Sequence, residues 1–203
     1  MDAIVEKALE KWPNVPHCYG WLALDARGNW RMRNEHAQQN NLPGEKITQP
    51  TLLGFICRNY THDEGGRWYF QNGPQRVYVD LEVTPHIAHT DPATGFVLHT
   101  DEPLSEPDCG WMTENGKLLL QKNKLIALLD DRDLSECLSK LYLESKPVQD
   151  DQLMTWLDKA SSHTKMAEEL TLKWHGKHIP VGFVTEDSLT EKFGFIRVPR
   201  ATS

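Results

Sequence analysis

The clearest pattern of apolar and polar positions lies in residues 64–88, EGGRWYFQNGPQRVYVDLEVTPHIA. From Arg76 onward it alternates with period two. Val77, Val79, Leu81 and Val83 share one side of a strand, and Arg76, Tyr78, Asp80 and Glu82 share the other. The aromatic run Arg67-Trp68-Tyr69-Phe70-Gln71 precedes it, and Asn72-Gly73-Pro74 tolerates the positive φ that folds the two runs together. A half-buried antiparallel hairpin with one wet face is expected.

Other runs extend this picture. Residues 3–12 have helical spacing, with Ile4, Ala8, Leu9 and Trp12 on a stripe expected to face the core, and Pro13 ends the helix. Residues 19–24 and 29–33 flank a turn containing Gly28 and predict a hairpin. The Asn/Gln-rich residues 34–44 read as an exposed loop. Pro50 suits the first position of a helix over 50–60, carrying Leu52, Leu53, Ile56 and Tyr60 inward.

The second half repeats the alternation of types. Residues 86–91 and 95–100 predict a strand pair, and the polar, Pro-rich stretch 101–108 is the linker candidate. A hairpin over 110–120 turns at Asn115-Gly116, and a buried strand covers 125–129. Helical spacing follows at Leu134, Cys137, Leu138, Leu141 and Tyr142, and again over 149–161. Strands 170–174 and 178–184 flank His175-Gly176-Lys177, and 193–198 reads as a last strand run. Gly20-Trp21 opens the first hairpin and Gly110-Trp111 opens the later one, an echo too short to prove a duplication. These elements predict an α+β protein of two small antiparallel β-rich units, 1–104 and 105–203, each with a packing helix.

Composition narrows the function classes. With 203 residues, 39% apolar and 25% charged, the chain can build a sizeable core. A net charge of −7 without a dense Lys/Arg run gives phosphate backbones no favourable field, which argues against nucleic acid. The amphipathic N-terminal run lacks the apolar segment of a signal peptide, and no stretch is apolar for the length of a membrane span. Cys18, Cys57, Cys109 and Cys137 lie far apart with no C-x-x-C, as expected for reduced, mostly buried thiols in a cytoplasmic protein.

Candidate chemistry is sparse, and no nucleotide, zinc-protease or nucleophile-elbow motif identifies a cofactor. His86, His89 and His99 lie in one predicted strand pair with Asp101 just beyond it, and such residues ligate zinc when their tips converge. His86 and His89, three apart on a strand, point to opposite faces, so His89, His99 and Asp101 remain as metal candidates short of a full ligand set. Asp130-Asp131-Arg132-Asp133 lacks EF-hand spacing and reads as a solvated turn before a helix. The polar face Arg76, Tyr78, Asp80 and Glu82 is the candidate binding surface, for an unidentified small molecule or a protein segment.

The order Asp25-x-x-Gly28-x-Trp30, a helix led by Pro50, Asp63-Glu64-Gly65, Trp68 and Phe70, then Pro74, Arg76-Val77-x-Val79 and Pro85-x-x-Ala88 resembles proteobacterial conserved proteins of unknown function. That resemblance implies two pleckstrin-homology-like β domains, each a bent sheet with a covering helix. It also implies a regulatory or signalling role, with no catalytic residues established for such proteins, and it carries no site residues over. The expected function is a non-enzymatic ligand-binding or regulatory module. The alternative is a metal-dependent or hydrolase-type enzyme using a cleft between the domains.

Overall fold

The computed structural model describes residues 1–162 and 169–201. The chain forms two compact units: Met1–Pro85 together with Gly194–Ser203, and His86–Phe193. Sequence composition places the domain boundary at 104/105. By contacts the first crossing falls at Pro85/His86, and the chain returns to the first unit for its last residues.

In the first unit the elements run α1 (Ala3–Lys11), β1 (Cys18–Leu24), β2 (Trp30–Met32), α2 (Glu35–Gln39), β3 (Glu45–Lys46), α3 (Pro50–Arg58), β4 (Tyr60–His62), β5 (Trp68–Asn72) and β6 (Gln75–Leu81). They build a six-stranded sheet in the order β3-β2-β1-β6-β5-β4. All neighbours are antiparallel except β1 and β6, which pair in parallel with Leu22 opposite Val79 and Leu24 opposite Leu81. Alternation decides the core face: Leu22, Leu24, Trp30, Phe70, Val79 and Leu81 are buried. Helix α3 covers it with Ile56, 2% exposed, and with Phe55 edge-on to Phe70 at 5.3 Å.

Two glycines shape the hairpin. Gly73, at φ +56, precedes Pro74 in the two-residue turn that pairs Asn72 with Gln75. Gly66, at φ +73, lets the returning segment close in: a Cβ there would lie 2.2 Å from the Gly194 carbonyl oxygen. Ile196 then donates its N–H to the Gly66 carbonyl at 2.9 Å, and Leu81 donates to the Arg197 carbonyl at 2.7 Å. Residues near 193–198 therefore add one bridge, Arg67 to Ile196, where the sequence suggested a strand run.

The second unit contains β7 (His86–Asp91), β8 (Gly95–Leu98), β9 (Cys109–Met112), β10 (Leu118–Lys122), β11 (Leu125–Leu129), α4 (Asp131–Leu138), β12 (Leu141–Leu143), β13 (Lys146–Pro147), α5 (Asp150–Ser161), β14 (Leu170–Trp174), β15 (Lys177–Phe183) and, after a 3-10 turn, α6 (Leu189–Phe193). Its nine-stranded sheet has the order β13-β12-β14-β15-β9-β10-β11-β7-β8. The inner six strands, β11-β10-β9-β15-β14-β12, repeat the plan of the first unit. A hairpin and a third strand come first, then a helix, then three antiparallel strands whose last returns parallel to the first. The β7–β8 hairpin extends one edge and β13 the other. The core gathers Leu118, Leu120, Leu141, Leu172 and Val181 with Trp156 and Leu157 of α5.

Several expectations change. In α1 it is Val5 that is buried, while Ile4 and Trp12 are 74% and 51% exposed, so the helix is rotated from its predicted stripe. Residues 34–44 contain α2, capped by Asn34 and anchored by buried Ala37. The helical spacing at Leu141 and Tyr142 belongs to a strand, because α4 stops at Leu138. Of the four free thiols, Cys137 is buried and the other three are half-buried. Among the described residues, no helix is long and apolar enough to cross a membrane.

Candidate functional site

The second face of β6 is not wet. Tyr78 is 1% exposed and Asp80 8%, while Arg76 is half-buried and Glu82 exposed. The residues that cover this face come from far along the chain. Tyr19 stacks on Tyr78 with ring centroids 4.7 Å apart and planes 7° from parallel, and His17 approaches it edge-on, as does Tyr69, its partner across the hairpin. Arg33 pairs with Asp80 at 2.6 Å and Arg200 at 3.3 Å.

This covering divides the four candidate residues. Arg76 lines one open recess, of about 420 Å³, with His62, Asp63, Glu64, Gly65, Arg67 and Tyr69. Asp80 and Glu82 line another, of about 400 Å³, with Asp25, Arg31, Arg33 and Arg200. Tyr78 lies between, as part of the wall's foundation.

The Arg76 recess is built on the turn from β4 to β5. Asp63 organises it, accepting from the amides of Gly65 at 3.0 Å and Arg67 at 3.1 Å, from Arg67 Nε at 2.8 Å and from the Tyr78 hydroxyl at 3.0 Å. Burial works to raise the Asp63 carboxyl, but the Arg67 amide, the Tyr78 hydroxyl and the Arg67 guanidinium together hold it below the usual carboxylate range. With its acceptor positions engaged, this carboxylate fixes Arg67 in place. Arg67 lies over the Tyr78 ring at 5.2 Å, and Arg76 lies over the Tyr69 ring at 4.6 Å. Two guanidiniums are thus held on tyrosine faces beside an open recess. His17 reports the resulting field: burial first, then Arg76 and Arg67, hold its imidazole below the ordinary range. A guanidinium fork held in this way recognises carboxylate or phosphate oxygens.

The other recess is balanced in charge and tied up internally. Asp25 accepts from the Arg27 and Asn29 amides and from Arg31 Nε at 2.7 Å. Arg31 and Arg33 donate to the carbonyls of Gly44 and Leu42. Glu82 accepts from the Ala26 amide. Burial raises the Asp80 carboxyl despite Arg200 and Arg33. Arg31 and Arg33 thereby fasten Leu42 and Gly44 to the sheet, and the Arg200–Asp80 pair fastens the returning C-terminal segment.

The histidines separate. His99 meets His86, with ring centroids 5.7 Å apart, and its Nδ1 accepts from the Ile87 amide at 3.2 Å. His89 turns to the start of α4, 3.4 Å from Asp130 and 3.6 Å from Asp133. Asp101 sits in the turn after β8 at φ +65. The pair brought together is therefore His86 and His99, rather than His89 and His99. Among the described residues, no three His, Cys, Asp or Glu side chains converge as a metal site. The 130–133 run is also less solvated than its composition suggests: Asp130 caps α4, is fully buried, and takes a two-point ion pair from Arg132 at 2.6 and 2.9 Å.

Composition and alternation miss Asp63, Arg67 and Tyr69 as site residues. The signal that could have found them is the Asp63-x-Gly65-Gly66-Arg67 turn, whose aspartate folds back on the amides after it.

Comparison with known proteins agrees with this architecture and is silent on chemistry. No curated protein matches the chain. A crystal structure of a DUF1285 family protein from Silicibacter pomeroyi DSS-3 is similar at a TM-score of 0.50 and 13% identity, over 89% of this chain and 94% of that one. At that identity the likeness concerns the fold alone. A family model covers residues 1–200, and the chain belongs to that family, described as "Protein of unknown function (DUF2946)".

Proposed function

We propose that the protein is a non-catalytic ligand-binding or regulatory module of the bacterial cytoplasm, and that its first, pleckstrin-homology-like unit takes a small anionic ligand. The supporting observation is the pair Arg67 and Arg76, held on Tyr78 and Tyr69 at the edge of an open recess. The ligand's phosphate or carboxylate oxygens face these guanidiniums, and the Gly65 turn forms the rim. Three half-buried free thiols suit a reducing compartment.

A thermal-shift screen of phosphate monoesters and small dicarboxylates tests this reading. A ligand present at one hundred times its Kd adds about 2.7 kcal/mol to the folded state. Arg76→Ala is expected to fold and to lose that gain. Equal stabilisation of Arg76→Ala and the parent protein by every hit would overturn the proposal.

A further inference from the structure

The second unit holds a recess of a different character. It has a volume of about 440 Å³ and opens between the β7–β8 turn, the loop 103–107 and the β14–β15 turn. Its floor is a stack of rings: Phe96 on Trp174 at 5.0 Å and 20°, and Trp174 on His175 at 5.5 Å and 21°. Pro103, Pro107 and Ile179 complete apolar walls, and Lys177 and Glu106 stand among the rim residues.

The backbone here is unusually committed. Glu106 and His175 both adopt left-handed conformations, at φ +56 and +44, which side chains other than glycine rarely take. Gly95 does so at φ +86, where a Cβ would lie 3.3 Å from Trp174 Nε1. That indole nitrogen donates to the Gly95 carbonyl at 3.0 Å, joining β14 to β8 although they stand far apart in strand order. The curl of the sheet thus brings together the walls of the recess.

We propose that this recess binds a small, flat aromatic acid. The ring lies against the proline walls and the Trp174–His175 stack, and the acid meets Lys177. Size fits, since small-ligand sites are apolar hollows of about 300–1,000 Å³ with a few polar groups. Charge fits as well: Lys177 pairs with Glu106 at 2.9 Å, both side chains being more than half exposed, so an incoming carboxylate can replace that partner. Lys122 donates to the Ser105 carbonyl and adds a second cation beside the lining loop. This site is independent of the Arg76 recess.

The test uses the full chain with indole-3-acetate and uncharged indole, followed by titration calorimetry and ligand-observed NMR. Saturable binding of indole-3-acetate is expected. Lys177→Ala should weaken it about tenfold while leaving indole unchanged. Ser105→Tyr, an exposed change at the mouth, should block both compounds, and Arg76→Ala should alter neither. Absence of saturable binding to the parent protein at millimolar concentration would overturn the proposal. So would binding that Lys177→Ala and Ser105→Tyr leave intact.

Discussion

In the first unit, β6 returns beside β1 carrying Tyr78 and Asp80 on the face away from the aliphatic core, and both are buried. In the second, β15 returns beside β9 in the same topological place, with Ile179 and Val181 buried on one face while His178 and Pro180, on the other, are exposed. Both strands alternate. One has a covered second face and the other a wet one. The difference teaches that alternation identifies which residues share a face, whereas distant parts of the chain decide whether that face is dry. Over β6 those parts are Tyr19, Arg33 and Arg200, and they make a layer of rings and ion pairs from what would otherwise be solvated sheet.

The largest expected effect tests this contrast directly. Tyr78→Ala removes a stacked, fully buried ring and should cost about 3–5 kcal/mol in denaturant unfolding. Its counterpart on the wet face, His178→Ala, should stay within about 0.5 kcal/mol. Similar costs at the two positions would break the comparison. A smaller loss follows from Asp63→Ala, which leaves the Tyr78 hydroxyl and two amides without their acceptor: about 2–3 kcal/mol.

Acid should separate the units next. Burial first, then His86 and His89, hold His99 well below the ordinary histidine range, so it stays neutral in the fold. The unfolded chain takes up that proton below about pH 6.5. Stability is therefore complete above that pH and falls as pH drops through it, with a slope of at most about 1.4 kcal/mol per pH unit for one proton. Hydrogen exchange should show the second unit loosening in this window. His99→Asn, which offers an acceptor near the position of Nδ1 without titrating, should flatten the slope. An unchanged slope would show that other groups set it. In the first unit the lowered Asp63 acts in a lower window: its contribution is present above the ordinary aspartate range and is lost as pH falls through the depressed value.

How much of this was legible in the sequence depends on the distance over which each feature is fixed. The β5–β6 hairpin is legible because Asn72-Gly73-Pro74 and the Val77, Val79, Leu81 alternation are local. The second hairpin at Asn115-Gly116 is legible for the same reason, with Gly116 donating its N–H to the Thr113 carbonyl. The covering of Asp80 is not, since Arg33 lies 47 positions away and Arg200 120. The rotation of α1 escapes because one apolar residue, Val5, outranks a stripe of four once the neighbouring surface is in place. Shared topology is also hidden: Gly20-Trp21 and Gly110-Trp111 hint at it, but the parallel return of β6 and β15 closes only through long-range pairing. For the site, Arg76 is named by the alternation, while Arg67 and Asp63 require the folded turn that brings them to it.

Whether Arg67 and Arg76 hold an anion is read most directly by titrating isotope-labelled protein with inorganic phosphate and following arginine Nε–H and backbone amide resonances. Saturable shifts at Arg67 and Arg76 Nε–H and at the Gly65 amide are expected, and Arg76→Ala should abolish them. Shifts that fail to saturate, or that persist around Gly65 in Arg76→Ala, would contradict the assignment.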